Sequence, residues 1–240
     1  MAKIILIETS AADCTVALGV DGVAVARAKA EEPRSHASMT APLVKQVLDE
    51  AGLKVADCDA VCLSKGPGSY TGLRVGSSTA KGLCFGASLP LLAIPTPGII
   101  AAEALSAVMP DPDRASGVAA PFRHIVTMID ARRMEVYCSV FDASLQRVAD
   151  TQALVVDADA FADWRKGHRL WLFGDGAPKL TPLFAEAAEI RIVDDLFPSA
   201  AYMAALSHQA LQAGKVVDVA YFEPYYLKDF VAGKPHVKGL

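Results

Sequence analysis

The residues best able to do chemistry in this chain are gathered in one run, Lys65-Gly-Pro-Gly-Ser-Tyr-Thr-Gly-Leu-Arg74. Glycines at 66, 68 and 72 leave backbone N–H groups unshielded, and a helix starting there adds partial positive charge. With Lys65 and Arg74 supplying formal charge, an anion could rest on the loop. The competing reading is steric: glycine lets the backbone turn sharply and lets a helix approach closely. Gly72, Gly76 and Ala80 recur once per turn and leave a flat groove flanked by Leu73 and Leu83. Such a stripe suits tight packing against another helix, within the chain or from a partner. No P-loop lysine follows at the spacing a nucleotide-phosphate loop uses, which favours packing over phosphate binding.

Other chemistries are thinly supplied. There is no G-x-S-x-G, no Ser-x-x-Lys in a supporting context and no cysteine beside a basic partner, so nucleophilic catalysis has no obvious centre. The five cysteines, Cys14, Cys58, Cys62, Cys84 and Cys138, are odd in number and scattered, as expected of reduced, buried thiols. Cys58 and Cys62 lack the second pair a structural zinc site needs. The histidines at 36, 124, 168, 208 and 236 stand alone, each better read as a surface or hydrogen-bonded core residue than as a ligand.

The elements that position these residues follow from periodicity. Lys3–Ile7 is an unbroken apolar strand ending at Glu8-Thr9-Ser10. Alternating runs over Cys14–Val20 and Val23–Arg27 flank Asp21-Gly22, a type I′ hairpin signal. Met39, Leu43, Val47 and Ala51 mark a helix over Ser38–Ala51, with Pro42 expected in its first turn and Gly52 past its end. Strands at Ala60–Leu63 and Leu91–Ile94 bracket a helix over Thr71–Phe85, and another helix spans Gly98–Val108. The second half repeats the plan: a strand at Ile125–Ile129 ending in Asp130, strands at Glu135–Phe141 and Leu145–Val148 about a turn, and a strand at Leu170–Phe173 ending in Gly174-Asp-Gly176. A helix over Lys179–Ala188, a strand at Ile190–Val193 and a helix over Ser199–Ala213 complete it. Two lobes on one plan are implied, α/β throughout, residues 1–108 and 109–240. Met109–Phe122 reads as the link, Tyr221–Leu240 as a partly packed tail, and the last helix is free to return to the first lobe.

Composition agrees with a folded domain pair. The 240 residues are 52% hydrophobic and 21% charged, enough for a sizeable core. Twenty-three basic against 27 acidic residues give −4, so no global pull on polyphosphate is expected. The apolar runs are strand-sized, short of the roughly 18 residues of a membrane span, and no secretory signal opens the sequence; a cytoplasmic protein is expected.

A duplicated plan of this kind resembles the actin, Hsp70 and sugar-kinase superfamily, with two tandem actin-like (RNase H-like) lobes, each a mixed five-stranded sheet with flanking helices. A narrower resemblance is carried by Gly66-Pro-Gly-Ser-Tyr-Thr-Gly-Leu-Arg-Val-Gly76 with Ala80-Lys-Gly82, Ile7-Glu-Thr-Ser10, His36 with its helix, and Leu89–Ile94. Gly174-Asp-Gly-Ala-Pro-Lys179 and Pro224-Tyr-Tyr-Leu-Lys228 extend it. Together these are similar to the TsaB (YeaZ) family.

That resemblance implies a scaffold without catalytic residues or a metal of its own, partner of the threonylcarbamoyl transferase TsaD in forming threonylcarbamoyladenosine on tRNA. TsaE would join with ATP, TsaC would supply the threonylcarbamoyl-adenylate, and tRNA would be met only through the complex. In the superfamily's active members, carboxylates at positions matching Glu8 and Asp130 hold hydrated magnesium; capping of the following turn by Thr9 and Ser10 is the alternative. Glu8, Thr9, Ser10, Gly66, Gly68, Ser69 and Thr71 are thus the candidate nucleotide or anion set, with ATP and magnesium assigned to an interface of the complex. TsaD carries two histidines four apart, and the matching residues here are Thr96 and Ile100, neither of which replaces an imidazole ligand. The expected partner interface is Met39, Leu43, Val47, Leu73, Arg74, Gly76, Ala80 and Leu83, shared with TsaD or, without it, with a second copy. On this reading Gly76→Arg blocks pairing and leaves the monomer folded. The rivals are an autonomous ATPase or small-molecule kinase of the same superfamily and, further off, a glycopeptidase-like metalloprotease.

Overall fold

The computed structural model of the chain describes residues 1–108, 122–166, 169–194 and 196–228. Its first sheet contains β1 (Lys3–Glu8), β2 (Thr15–Val20), β3 (Val23–Lys29), β4 (Ala60–Gly66) and β5 (Leu91–Pro95), in the order β3-β2-β1-β4-β5. β1 pairs antiparallel with β2 and parallel with β4. The second sheet repeats this plan with β6 (Phe122–Asp130), β7 (Glu135–Asp142), β8 (Arg147–Val155), β9 (Arg169–Phe173) and β10 (Ile190–Ile192), ordered β10-β9-β6-β7-β8. The architecture is α/β with two mixed five-stranded sheets and flanking helices. Asp21 and Gly22 both take positive φ, 47° and 86°, as the turn between β2 and β3 requires.

Alternation along β1 explains how the layers assemble. Ile5 and Ile7 face α1 (His36–Glu50) and α2 (Tyr70–Ala87), meeting Leu43, Val44, Val47, Leu48, Ala80 and Cys84. Ile4 and Leu6 face the other side, where Ile99 of α3 (Thr96–Val108) and Met203 and Ala204 at the start of α5 (Ala204–Gln212) cover them. A strand buried on both faces needs the continuous apolar run that Ile4–Ile7 supplies. The last described helix, α5, therefore lies on the first sheet. α3 serves both lobes: Ile100, Ala101 and Ala104 turn the other way, onto Ile125, Ile129, Phe141 and Phe173 of the second sheet.

Several elements differ from expectation. Lys179–Ala188 is no helix: a 3₁₀ turn over Pro178–Leu180 gives way to successive turns, although Leu180 and Phe184 still enter the core. Pro182 lacks the N–H that would continue a helix there. α1 starts at His36, so Pro42 sits inside it rather than in its first turn, on an exposed position. β8 runs to Val155, well beyond Val148, and the short α4 (Ala162–Arg165) precedes β9. The final helix opens as a 3₁₀ turn over Ala200–Met203. The link at 109–121, His168, His236 and the tail beyond 228 lie outside the described residues.

Candidate functional site

The junction of β1 with α2 gathers most of the candidate anion set. Ser69 is the N-cap of α2: its Oγ accepts from Gly72 N at 3.2 Å, and its own N–H donates to the Ser10 carbonyl at 2.6 Å. A β-carbon on Gly72 would run into the Thr9 carbonyl oxygen, and one on Gly76 into Thr9 Oγ1. These glycines let a helix lie directly on the end of a strand, the steric alternative of the sequence reading. Thr9, Ser10, Gly68 and Ser69 do come together, but the Ser69 and Gly72 N–H groups that could hold an anion are already satisfied within the chain. Thr71 is exposed on the far side of α2, and Gly66 lies against the carbonyl of Tyr225.

Glu8 is fully buried at the end of β1. Its Oε1 accepts from Ser10 N at 2.5 Å, the turn-capping alternative, and Oε2 has no hydrogen-bond partner among the described residues. Burial pushes its carboxyl up to about 7, and the negative charge of Asp175 adds to the effect. Glu103 of α3 is pushed up to about 8, by burial and then by Glu8. Asp130 is half-exposed and ion-paired with Lys179, while its N–H donates to Asp175 Oδ1 at 3.0 Å. Carboxyls from both lobes thus line the joint, yet no group of three or more His, Cys, Asp or Glu converges as a metal site among the described residues.

Most of the expected interface residues face inward. Leu43, Val47, Leu73 and Ala80 are buried in the first lobe's own core, and Gly76 lies under Thr9. Met39 and Leu83 are half-buried against that core, which leaves Arg74 as the one exposed member of the set. The physical reason is that α1 and α2 need an apolar stripe to cover sheet one, and periodicity cannot tell that stripe from a docking stripe. An arginine at 76 would therefore wreck the β1–α2 contact instead of leaving a folded monomer.

The outward face of the same helix pair is different in kind. Thr71, Arg74, Ser78, Gly82, Phe85 and Gly86 of α2 are exposed, alongside Ala37, Ser38, Ala41 and Lys45 of α1. Ala37, Arg74, Val75, Ser78 and Thr79 line a shallow groove between the helices. Added β-carbons on Gly82 or Gly86 would meet nothing within 4 Å, and Phe85 is 86% exposed. Of this face, sequence reasoning named only Arg74. The only signal was a second run of small residues, half a helix turn out of phase with the first.

The remaining candidates are structural. His36 is buried, its Nε2 donating to the carbonyls of Ala11 (3.0 Å) and Asp13 (3.2 Å). All five cysteines are free and buried, and burial raises each thiol, that of Cys58 to about 11. Thr96 and Ile100 are fully buried on α3, with Ile100 in the core it shares with the second sheet. No described helix is long and apolar enough to cross a membrane.

Comparison with known proteins places this geometry. A family model described as TsaD, tRNA N6-adenosine threonylcarbamoyltransferase, matches residues 29–232. The tRNA threonylcarbamoyladenosine biosynthesis protein TsaB of Escherichia coli (strain K12) is 30% identical over 237 residues, 97% of either chain. The solved structure of YeaZ from Pseudomonas aeruginosa superposes with a TM-score of 0.72 at 25% identity, covering 95% of this chain and 100% of that one. The tRNA N6-adenosine threonylcarbamoyltransferase of Maricaulis maris is 48% identical over 61 residues, 25% of this chain and 16% of its own length. The chain belongs to the TsaB (YeaZ) family and, through residues 29–232, to the wider family that the threonylcarbamoyltransferase model describes.

Proposed function

We propose that this chain acts in the formation of threonylcarbamoyladenosine on tRNA as a non-catalytic partner of the transferase TsaD, pairing through the outward faces of α1 and α2. One observation carries the reading: α2 presents the small residues Ser78, Gly82 and Gly86 on an exposed face, with open space above both glycines. Small residues let a second pair of helices approach closely, and exposed Phe85 beside them supplies apolar area that folding alone does not bury. TsaD's own likeness to this chain favours a pseudo-symmetric contact of like helices. Without TsaD, the same face closes a two-fold homodimer.

Catalysis is assigned to the partner, because Thr96 and Ile100 stand where the resemblance puts two metal-binding histidines in TsaD. The exposed Arg74 guanidinium and the hydroxyls of Ser78 and Thr79 are donors of the kind that hold nucleotide phosphates. ATP with magnesium accordingly belongs at the joint surface of the complex, TsaE joins with it, TsaC supplies the adenylate, and tRNA is met through the assembly. The test is to combine the purified chain with TsaD, follow association by light scattering, and assay modified tRNA with and without this chain. Association together with dependence of the modification on both proteins is expected. A chain that ignores TsaD, or that turns over ATP alone, overturns the proposal.

A further inference from the structure

After α5 the chain runs back past Lys81 to the N-terminal end of α2 and reaches the second lobe. Val217 N donates to the Leu91 carbonyl at 2.9 Å, and Lys81 Nζ of α2 donates to the Ala220 carbonyl at 3.1 Å. Further on, Tyr225 N donates to the Lys65 carbonyl at 2.7 Å, and the Tyr225 carbonyl oxygen stands 2.6 Å from where a β-carbon on Gly66 would be. The Tyr226 ring lies 5.0 Å from that of Tyr70 in the first turn of α2. The Arg74 guanidinium lies over the same Tyr70 ring, 4.4 Å from its centroid. Lys228 then pairs with Glu135 at the start of β7.

From this path we infer that residues 217–228 form a strap that fixes the N-terminal end of α2 to the second lobe, so that the docking face and the arrangement of the lobes move as one. The strap's grip is local and of modest strength. An aromatic pair with a cation on its face is worth about a tenfold change in local opening, and a part-exposed ion pair about threefold. Its consequence for pairing rests on the proposed docking role of α2, whereas its consequence for the isolated chain does not.

The experiment is hydrogen exchange on the full chain alone, followed by titration with TsaD. Tyr226→Ala should speed amide exchange over residues 65–76 about tenfold, and Lys228→Glu about threefold, with the rest of α2 unchanged. The charge-swapped double variant Glu135→Lys/Lys228→Glu should return exchange to the parent rate, which a merely misfolded tail would not do. Both single variants should weaken pairing with TsaD in the same order. Unchanged exchange over 65–76 in the isolated chain refutes the strap while leaving the docking proposal intact. Faster exchange in the variants, in a parent chain that never binds TsaD, refutes the docking proposal while leaving the strap intact.

Discussion

Gly82→Arg separates folding from docking, because the two should respond in opposite directions. Gly82 is exposed in the second half of an 18-residue helix, and a β-carbon there meets nothing within 4 Å. In a helix interior, arginine is favoured over glycine by nearly 1 kcal/mol, so the isolated variant should gain about that much. For a chain of this size that is a rise in melting temperature of about 2–4 °C. On the docking side the change is hostile. Packed helix axes stand about 8–10 Å apart, and a long cation in the middle of the small-residue face must be buried unpaired or hold the partner away. Overpacking alone costs about 1–3 kcal/mol, and the charge adds to it, so pairing should weaken at least about tenfold. Thermal unfolding of the isolated variant and a light-scattering titration with TsaD read the two effects. A stabilised variant that still pairs with parental affinity refutes the outward face of α2 as the docking surface. A destabilised one refutes the open environment assigned to Gly82.

Three further outcomes are expected. Leu73→Ala should cost about 3 kcal/mol in urea unfolding, as a cavity in a core does, while the folded fraction pairs normally; a pairing defect without lost stability would return Leu73 to the interface. Ser69→Ala removes the N-terminal side-chain cap of α2 and should cost about 1 kcal/mol, which chemical denaturation resolves. For Glu8, a carboxyl ordinarily near 4.5 is raised to about 7 in the folded chain, so the unfolded state releases its proton first as pH rises. The contribution of Glu8 to stability is therefore full below about pH 4.5, falls between there and about 7, and by pH 8 has cost roughly 3 kcal/mol. Glu8→Gln should abolish that slope, and denaturation curves for parent and variant that stay parallel from pH 5 to 8.5 would contradict it.

Much of the scaffold was legible because each signal had a single physical cause. Ile4–Ile7 could only be a strand covered on both sides, and Asp21-Gly22 could only close a tight hairpin. The failures have one cause each as well. Pro178 and Pro182 outweighed the apolar spacing of Leu180, Leu183 and Phe184, which proved to be core residues on turns. Gly72, Gly76 and Ala80 gave a correct groove but an ambiguous occupant, which turned out to be Thr9 of the same chain. Exposure is set by the third dimension. Nothing in the spacing of Phe85 distinguishes it from Leu83, two residues earlier, although one is solvent-exposed and the other leans on the core. The strap was visible only as Pro224-Tyr-Tyr-Leu-Lys228, a motif with no periodicity to reveal what it crosses.

The joint between the lobes argues further for a scaffold over an autonomous kinase. A catalytic cleft in a two-lobed protein must open to admit substrate and close to exclude water. Here α3 is shared by both cores: Ile99 is buried against the first sheet, and its neighbours Ile100, Ala101 and Ala104 against the second. Ile100 alone, fully buried, contributes roughly 2–3 kcal/mol that any opening at that point would forfeit. The side chain of Ile100 also reaches Gly174, the first residue of the second lobe's glycine loop, 3.3 Å from where a β-carbon there would stand. Hydrocarbon thus fills the region where the resemblance puts a metal-binding imidazole in TsaD. An isoleucine side chain offers no metal ligand, and its burial between the two sheets braces the lobes against each other. Under the proposed scaffold role, a braced pair of lobes offers a partner a surface of constant shape.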